Sequence, residues 1–207
     1  KNLASHAAKA GADAVLVVAP YYNKPTQSGL YSHFMSVADA AKIPLIVYDI
    51  PGRSIVSVSD ETFVRLCEDH DLILGIKDAT ADIARPPRLR NLIGSGFSQL
   101  SGEDATALPY LAAGGHGCIS VTSNIASKEL AQMHDFWNAG DFSSAFEIHC
   151  KMINVHDALF CESSPGPVKY AAELMGLCNS ETRMPIVEIA EDSKRKVTES
   201  LKSLGLI

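Results

Sequence analysis

Leu72-Ile73-Leu74-Gly75-Ile76-Lys77-Asp78-Ala79-Thr80 is an apolar run of strand length with one lysine near its C-terminal end. The residues before Lys77 show no polar alternation, so they read as a strand buried on both faces. Left to itself, a strand-end lysine points to water. Delivered from a buried strand, it loses part of its hydration, which disfavours the ammonium and frees the neutral amine. A neutral amine is the nucleophile that Schiff-base chemistry with a carbonyl compound requires.

Working outward, the same kind of run recurs. Ala14-Val15-Leu16-Val17-Val18-Ala19 closes at Pro20, and Leu45-Ile46-Val47-Tyr48 leads to the turn Pro51-Gly52. Phe97 to Leu100 leads to Ser101-Gly102-Glu103-Asp104, and Cys118-Ile119-Ser120-Val121 reads as a fifth strand. Strand ends at Pro20, Asp49, Lys77, Gly102 and Val121 recur at intervals of roughly 20–30 residues, the spacing of βα units with parallel strands. Helices are expected between them. One is capped by Ser28 and runs to Ala41, one is capped by Ser59, and one starts at Asp82 and is broken or kinked by Pro86-Pro87. Beyond residue 126 the strand pattern stops, and residues 127–139, 141–161, 165–178 and 185–204 read as helices. Ser163-Ser164-Pro165 supplies the start of the third. The expected organisation is an α/β domain over residues 1–126 and a helical domain over 127–207.

Composition narrows the class. The 207 residues are 46% hydrophobic and 20% charged, which suits a globular chain with a core. The net charge of −6 comes with no basic block, so nucleic acid and anionic membranes are not expected partners. Ala14 to Pro20 is too short to cross a bilayer. Five scattered cysteines, Cys67, Cys118, Cys150, Cys161 and Cys178, read as reduced core residues of a cytosolic protein without metal-ligand spacing. His6, His33, His70, His134, His149 and His156 fall on presumed helices, where a surface position is the default. The chain opens at Lys1 inside a helix capped by Gly11, which reads as the remainder of a longer chain.

Five segments occur in order: Pro20-Tyr21-Tyr22-Asn23-Lys24-Pro25-Thr26-Gln27, Tyr48-Asp49-Ile50-Pro51-Gly52-Arg53, Gly75-Ile76-Lys77-Asp78-Ala79-Thr80, Ser101-Gly102-Glu103-Asp104 and Gly117-Cys118-Ile119-Ser120-Val121. Together they resemble the signatures of the dihydrodipicolinate synthase family of pyruvate-dependent lyases, of class I aldolase type. The resemblance runs the length of the chain, including Pro167-Val168-Lys169. It implies a TIM (β/α)8 barrel with a C-terminal helical domain, here an incomplete barrel of about five βα units.

The resemblance also implies a function. A lysine imine with pyruvate would condense with aspartate semialdehyde at the entry to diaminopimelate and lysine biosynthesis, in the cytoplasm, with no cofactor and no metal. The expected assembly is a homodimer or homotetramer. Lys77 matches the imine-forming lysine and Tyr48 the tyrosine beside it that relays protons. Tyr22 matches the tyrosine that reaches a neighbouring subunit's site. Arg53 matches the arginine that binds the second substrate's carboxylate. Gly102 and Ile119 match backbone positions lining the pyruvate pocket, and Tyr21 an interface aromatic near the lysine-inhibitor pocket. Asp49 stands where asparagine is common and Glu103 where aspartate is common.

Relatives carry about three further βα units before the position of Lys1. These hold the threonines that bind the pyruvate carboxylate and complete the proton relay. The resemblance leaves two other readings open: a non-catalytic remnant that persists as an oligomer, and, within the family, a sugar-acid aldolase such as N-acetylneuraminate lyase. Arg53 after Pro51-Gly52 speaks against the latter.

Overall fold

The computed structural model describes all residues, 1–207, and contacts within the chain divide them into two compact units, Lys1–Ile119 and Ser120–Ile207. In the first unit, α1 (Asn2–Lys9) precedes β1 (Val15–Val18), α2 (Gln27–Ala41), β2 (Leu45–Asp49), α3 (Pro51–Ser54), α4 (Asp60–Asp69) and β3 (Ile73–Asp78). Then come α5 (Arg85–Ile93), β4 (Ser98–Ser101), α6 (Ala107–Ala112) and β5 (Gly117–Cys118). The strands form one five-stranded sheet in the order β1-β2-β3-β4-β5, every neighbouring pair parallel.

One face of this sheet is buried against helices. Leu45, Val47, Ile73 and Ile76 on the strands meet Leu30, Phe34, Phe63, Leu66 and Leu89 on the helices, all at most 2% exposed. β-Branched and leucine side chains at alternate strand positions supply that face, as the period of two requires. The other face is open at β1, where Leu16 is 46% and Val18 43% exposed. The expectation that β3 is buried on both faces therefore fails at Leu74, which is 40% exposed. The register explains it: Leu45 pairs with Ile73 but Ile46 pairs with Gly75, so Leu74 is the extra residue of a bulge. Gly75 follows because a Cβ there would lie 2.6 Å from the Ser98 carbonyl oxygen.

Several expected boundaries move. α2 is capped by the Thr26 hydroxyl, which accepts from the Gly29 amide, and not by Ser28. Ser59 does cap α4, accepting from the Thr62 amide. Pro86-Pro87 do not break a helix; they sit in the first turn of α5, where the missing N–H has no helical partner to lose. β5 ends at Cys118, and Ser120-Val121 lead into a 3-10 turn over Thr122–Asn124 instead of extending the strand.

The second unit is helical: α7 (Ser127–Asn138), α8 (Phe142–Leu159), α9 (Gly166–Leu174) and α10 (Glu191–Ser203). Its interior holds Met133, Ala145, Met152, Val155, Leu159, Ala171, Val197 and Leu201. Asp141 caps α8 by accepting from the Ser144 amide. α9 has no side-chain cap, and the proline in its first turn is Pro167. Residues 185–190 are not helical, so α10 starts later than its sequence pattern suggests. His149 and His156 are 9% and 2% exposed, contrary to the surface default, and His156 Nδ1 lies 2.8 Å from Thr122 Oγ1. All five cysteines are free; Cys67 packs, half-buried, against the core, Cys118 and Cys161 are half-buried, and Cys150 and Cys178 are exposed, so the expectation of five core cysteines fails. No helix is long and apolar enough to cross a membrane.

Candidate active site

The C-terminal ends of β2 and β3 bring Tyr48 and Lys77 side by side as register partners. Lys77 Nζ stands 4.2 Å from the centre of the Tyr48 ring. The bulge at Leu74 matters here, because it sets which residues pair beyond it. Burial pulls the Lys77 pKa below the usual lysine range, with the charge of Asp104 pulling the other way. Burial raises the Tyr48 phenol; the Arg53 charge works the other way and Glu103 adds to the rise. A phenol held protonated beside an amine with weakened proton affinity can donate to, or accept from, groups bonded to that amine.

Gly102, just past β4, lies against the Lys77 stem. A Cβ there would lie 2.8 Å from Ala79 Cβ and 3.1 Å from Lys77 Cε. Its amide donates to the Asp78 carbonyl at 2.7 Å, which holds the β4 end against the β3 end. Ile119 follows β5, its amide donating to the Ser101 carbonyl at 2.9 Å, with 38% of its surface exposed. Cys118 is half-buried and its thiol is pushed up to about 12, chiefly by burial. It is therefore not a thiolate at neutral pH. Burial also raises the Glu103 carboxyl, with neighbouring Asp104 adding to it.

Arg53 lies on the short α3 and is exposed. With Leu16, Val18, Tyr21, Tyr48, Ile50 and Ser54 it lines an open cleft of about 510 Å³. Tyr48 thus borders both the lysine and this cleft. Tyr22 does not line the cleft; at 88% exposed it projects into solvent from the loop after β1, and Tyr21 beside it is 65% exposed. No group of three or more His, Cys, Asp or Glu side chains is arranged to hold a metal ion.

Sequence reading missed what lies behind the Tyr48–Lys77 pair. Arg85, 3% exposed at the start of α5, donates to Asp49 Oδ2 at 2.7 Å and to Asp60 Oδ1 at 2.8 Å. It also donates to the Val58 carbonyl and approaches Asp78 Oδ1 at 3.6 Å. The available signal was the pair of aspartates directly following Tyr48 and Lys77 on strands otherwise apolar.

A parallel succession of βα units, with its polar groups gathered at the strand C-terminal ends, is the architecture of part of a (β/α)8 barrel enzyme. The relatives narrow this further. A sequence model described as the Dihydrodipicolinate synthetase family matches residues 1–204. The chain is 56% identical over 207 residues to the 4-hydroxy-tetrahydrodipicolinate synthase of Gluconacetobacter diazotrophicus, covering 100% of this chain and 69% of that protein. It is 51% identical over 205 residues to the enzyme of the same name from Gluconobacter oxydans, covering 99% and 69%. The dihydrodipicolinate synthase structure from Aquifex aeolicus superposes with a TM-score of 0.96 at 40% identity, covering 99% of this chain and 70% of that one. The Acinetobacter baumannii enzyme, solved with pyruvate, gives 0.95 at 43% identity, covering 100% and 70%. A neighbour at 0.95 and 39% identity, covering 100% and 70%, is described as the first monomeric variant of the enzyme. The chain belongs to the dihydrodipicolinate synthetase family, whose named members among these relatives are lyases.

Proposed function

We propose that this chain carries the Schiff-base centre of a lyase that condenses pyruvate with aspartate semialdehyde. The observation that carries the proposal is the half-buried Lys77 set 4.2 Å from the Tyr48 ring in a member of this family. The neutral Lys77 amine adds to the C2 carbonyl of pyruvate, and the carbinolamine loses water to give the imine. Loss of a C3 proton gives the enamine, whose C3 attacks the aldehyde carbon of the second substrate. The amino group of the adduct then displaces Lys77 at C2 and closes the ring.

Tyr48 moves protons between these steps, and its protonated phenol is the donor when water leaves. Arg53, at the rim of the cleft, binds the carboxylate of aspartate semialdehyde through a charge-assisted pair. Tyr22, projecting from its loop, completes the relay in a neighbouring subunit, and Tyr21 packs at that interface. Gly102 and Ile119 line the pyruvate pocket. The reaction serves diaminopimelate and lysine synthesis in the cytoplasm.

The test is a condensation assay on the full natural chain with both substrates. Ring formation that requires pyruvate and is lost in Lys77→Ala supports the reading. Turnover of a sugar acid with none of aspartate semialdehyde would replace it with the sugar-acid aldolase reading.

A further inference from the structure

Alternation along a strand sends neighbouring side chains to opposite faces. Tyr48 and Lys77 are register partners on one face, so Asp49 and Asp78, the next partners, project from the other. Both are sealed from water, Asp49 at 0% and Asp78 at 2% exposed. Arg85 sits between them. Its Nη1 donates to Asp49 Oδ2 at 2.7 Å and lies 3.6 Å from Asp78 Oδ1. Its Nε donates to Asp60 at the start of α4, and its Nη2 donates to the carbonyl of Val58.

Each carboxylate is also tied locally. Asp49 Oδ2 accepts from the Ser57 hydroxyl at 2.7 Å and the Val58 amide at 3.2 Å. Asp78 Oδ1 accepts from the Thr80 hydroxyl at 2.6 Å and the Thr80 amide at 2.9 Å. One guanidinium therefore joins the ends of two strands, the loop before α4, the start of α4 and its own helix. A planar fork of five donors can serve partners in several directions at once; a lysine ammonium on a single flexible stem cannot hold the same set.

The geometry points to Arg85 as a positioning residue for the Schiff-base lysine: from behind the sheet it locks the ends of β2 and β3 and so fixes Lys77 against Tyr48. The inference rests on the proposed function above. It assigns Arg85 no contact with substrate. Its effect is on chemistry at Lys77, because a small misplacement of a reacting group lowers rate far more than it lowers binding.

Arg85→Lys in the full natural chain tests this. The readouts are the melting curve, the rate at which borohydride traps the pyruvate adduct at saturating pyruvate, and kcat and KM for each substrate. Measured per folded molecule, trapping and kcat should fall on the order of ten- to a hundred-fold, with both KM values changed less than about threefold, as expected when transition-state and not ground-state interactions are lost. A folded Arg85→Lys protein that traps pyruvate at the wild-type rate overturns the inference.

If Arg85→Lys does not fold, Asp78→Asn decides instead. It keeps an acceptor for Thr80, removes the charge facing Arg85 from β3, and places an amide NH2 where the buried Asp78 Oδ2 has no partner. Slowed trapping with unchanged KM then supports the positioning role, and wild-type trapping refutes it. Failure of the wild-type protein to label Lys77 at all refutes the proposed function and this inference with it; normal wild-type labelling with unaffected variants refutes this inference alone.

Discussion

Lys77 Nζ lies 4.2 Å from the centre of the Tyr48 ring, and the two residues are register partners at the ends of adjacent parallel strands. The pairing follows from a bulge three positions before Lys77 on β3, which leaves Leu74 outside the register. The site therefore depends on strand alignment as much as on residue identity, and its chemistry has consequences for pH, stability and substrate use.

Burial lowers the Lys77 pKa from 10.5 in the folded protein, while the unfolded chain keeps the ordinary value. Between the two values the unfolded chain binds more protons, so stability rises with pH across that window and the cost of burying the ammonium is full below it. Lys77→Met should therefore melt at a higher temperature than wild type at pH 7 while losing all imine formation. A lower melting temperature would mean that the amine is stabilised in place and not strained by desolvation.

The same shift sets the pH dependence of imine trapping. The rate at saturating pyruvate should climb with pH through a midpoint below 10.5, as the neutral amine accumulates. A midpoint at or above that value would show a lysine that is effectively solvated.

Arg53→Ala should impair use of aspartate semialdehyde and leave pyruvate trapping intact. Loss of one charge-assisted contact is worth about 1.5–3 kcal/mol, a factor of roughly ten to a hundred or more in kcat/KM for that substrate. Equal loss of trapping would make Arg53 structural.

Gly102→Ala should crowd the lysine stem. The added Cβ would sit 2.8 Å from Ala79 Cβ and 3.1 Å from Lys77 Cε, so the stem or the β4 end must shift. Overpacking of this kind costs about 1–3 kcal/mol, and trapping should slow in the folded variant. Wild-type trapping and stability together would show that the contact relaxes freely.

The 207 residues on their own should self-associate. Leu16 and Val18 are 46% and 43% exposed on the sheet face that carries Tyr48 and Lys77. β1 and β5 are edge strands with unpaired backbone groups. Light scattering at micromolar concentration should give at least twice the mass of a single chain. A stable, cooperatively melting monomer would contradict this.

Much of the fold was legible because it rests on short-range pattern. The runs around Val15–Val18, Leu45–Asp49 and Ile73–Asp78 announce strands by composition, and Ser59 announces a helix start by its hydroxyl. Pro86-Pro87 misled because a proline pair has opposite meanings inside a helix and in its first turn, and only the true start at Arg85 distinguishes them. Leu74 misled because a bulge is a property of two strands together. The strand-end positions of Lys77 and Tyr48 were legible from the apolar runs that precede them. Arg85 was not: its partners Asp60, Val58 and Asp49 lie 25, 27 and 36 residues away in sequence. Nothing local distinguishes it from the exposed Arg88 one turn later.

The central claim is that Lys77 is the imine-forming nucleophile. The most direct measurement is borohydride reduction of the full natural chain in the presence of pyruvate, followed by peptide mass analysis. The account predicts a single adduct, pyruvate reduced onto the Lys77 side chain, absent in Lys77→Ala. An adduct on another lysine, or none in a folded and condensation-competent protein, would contradict it.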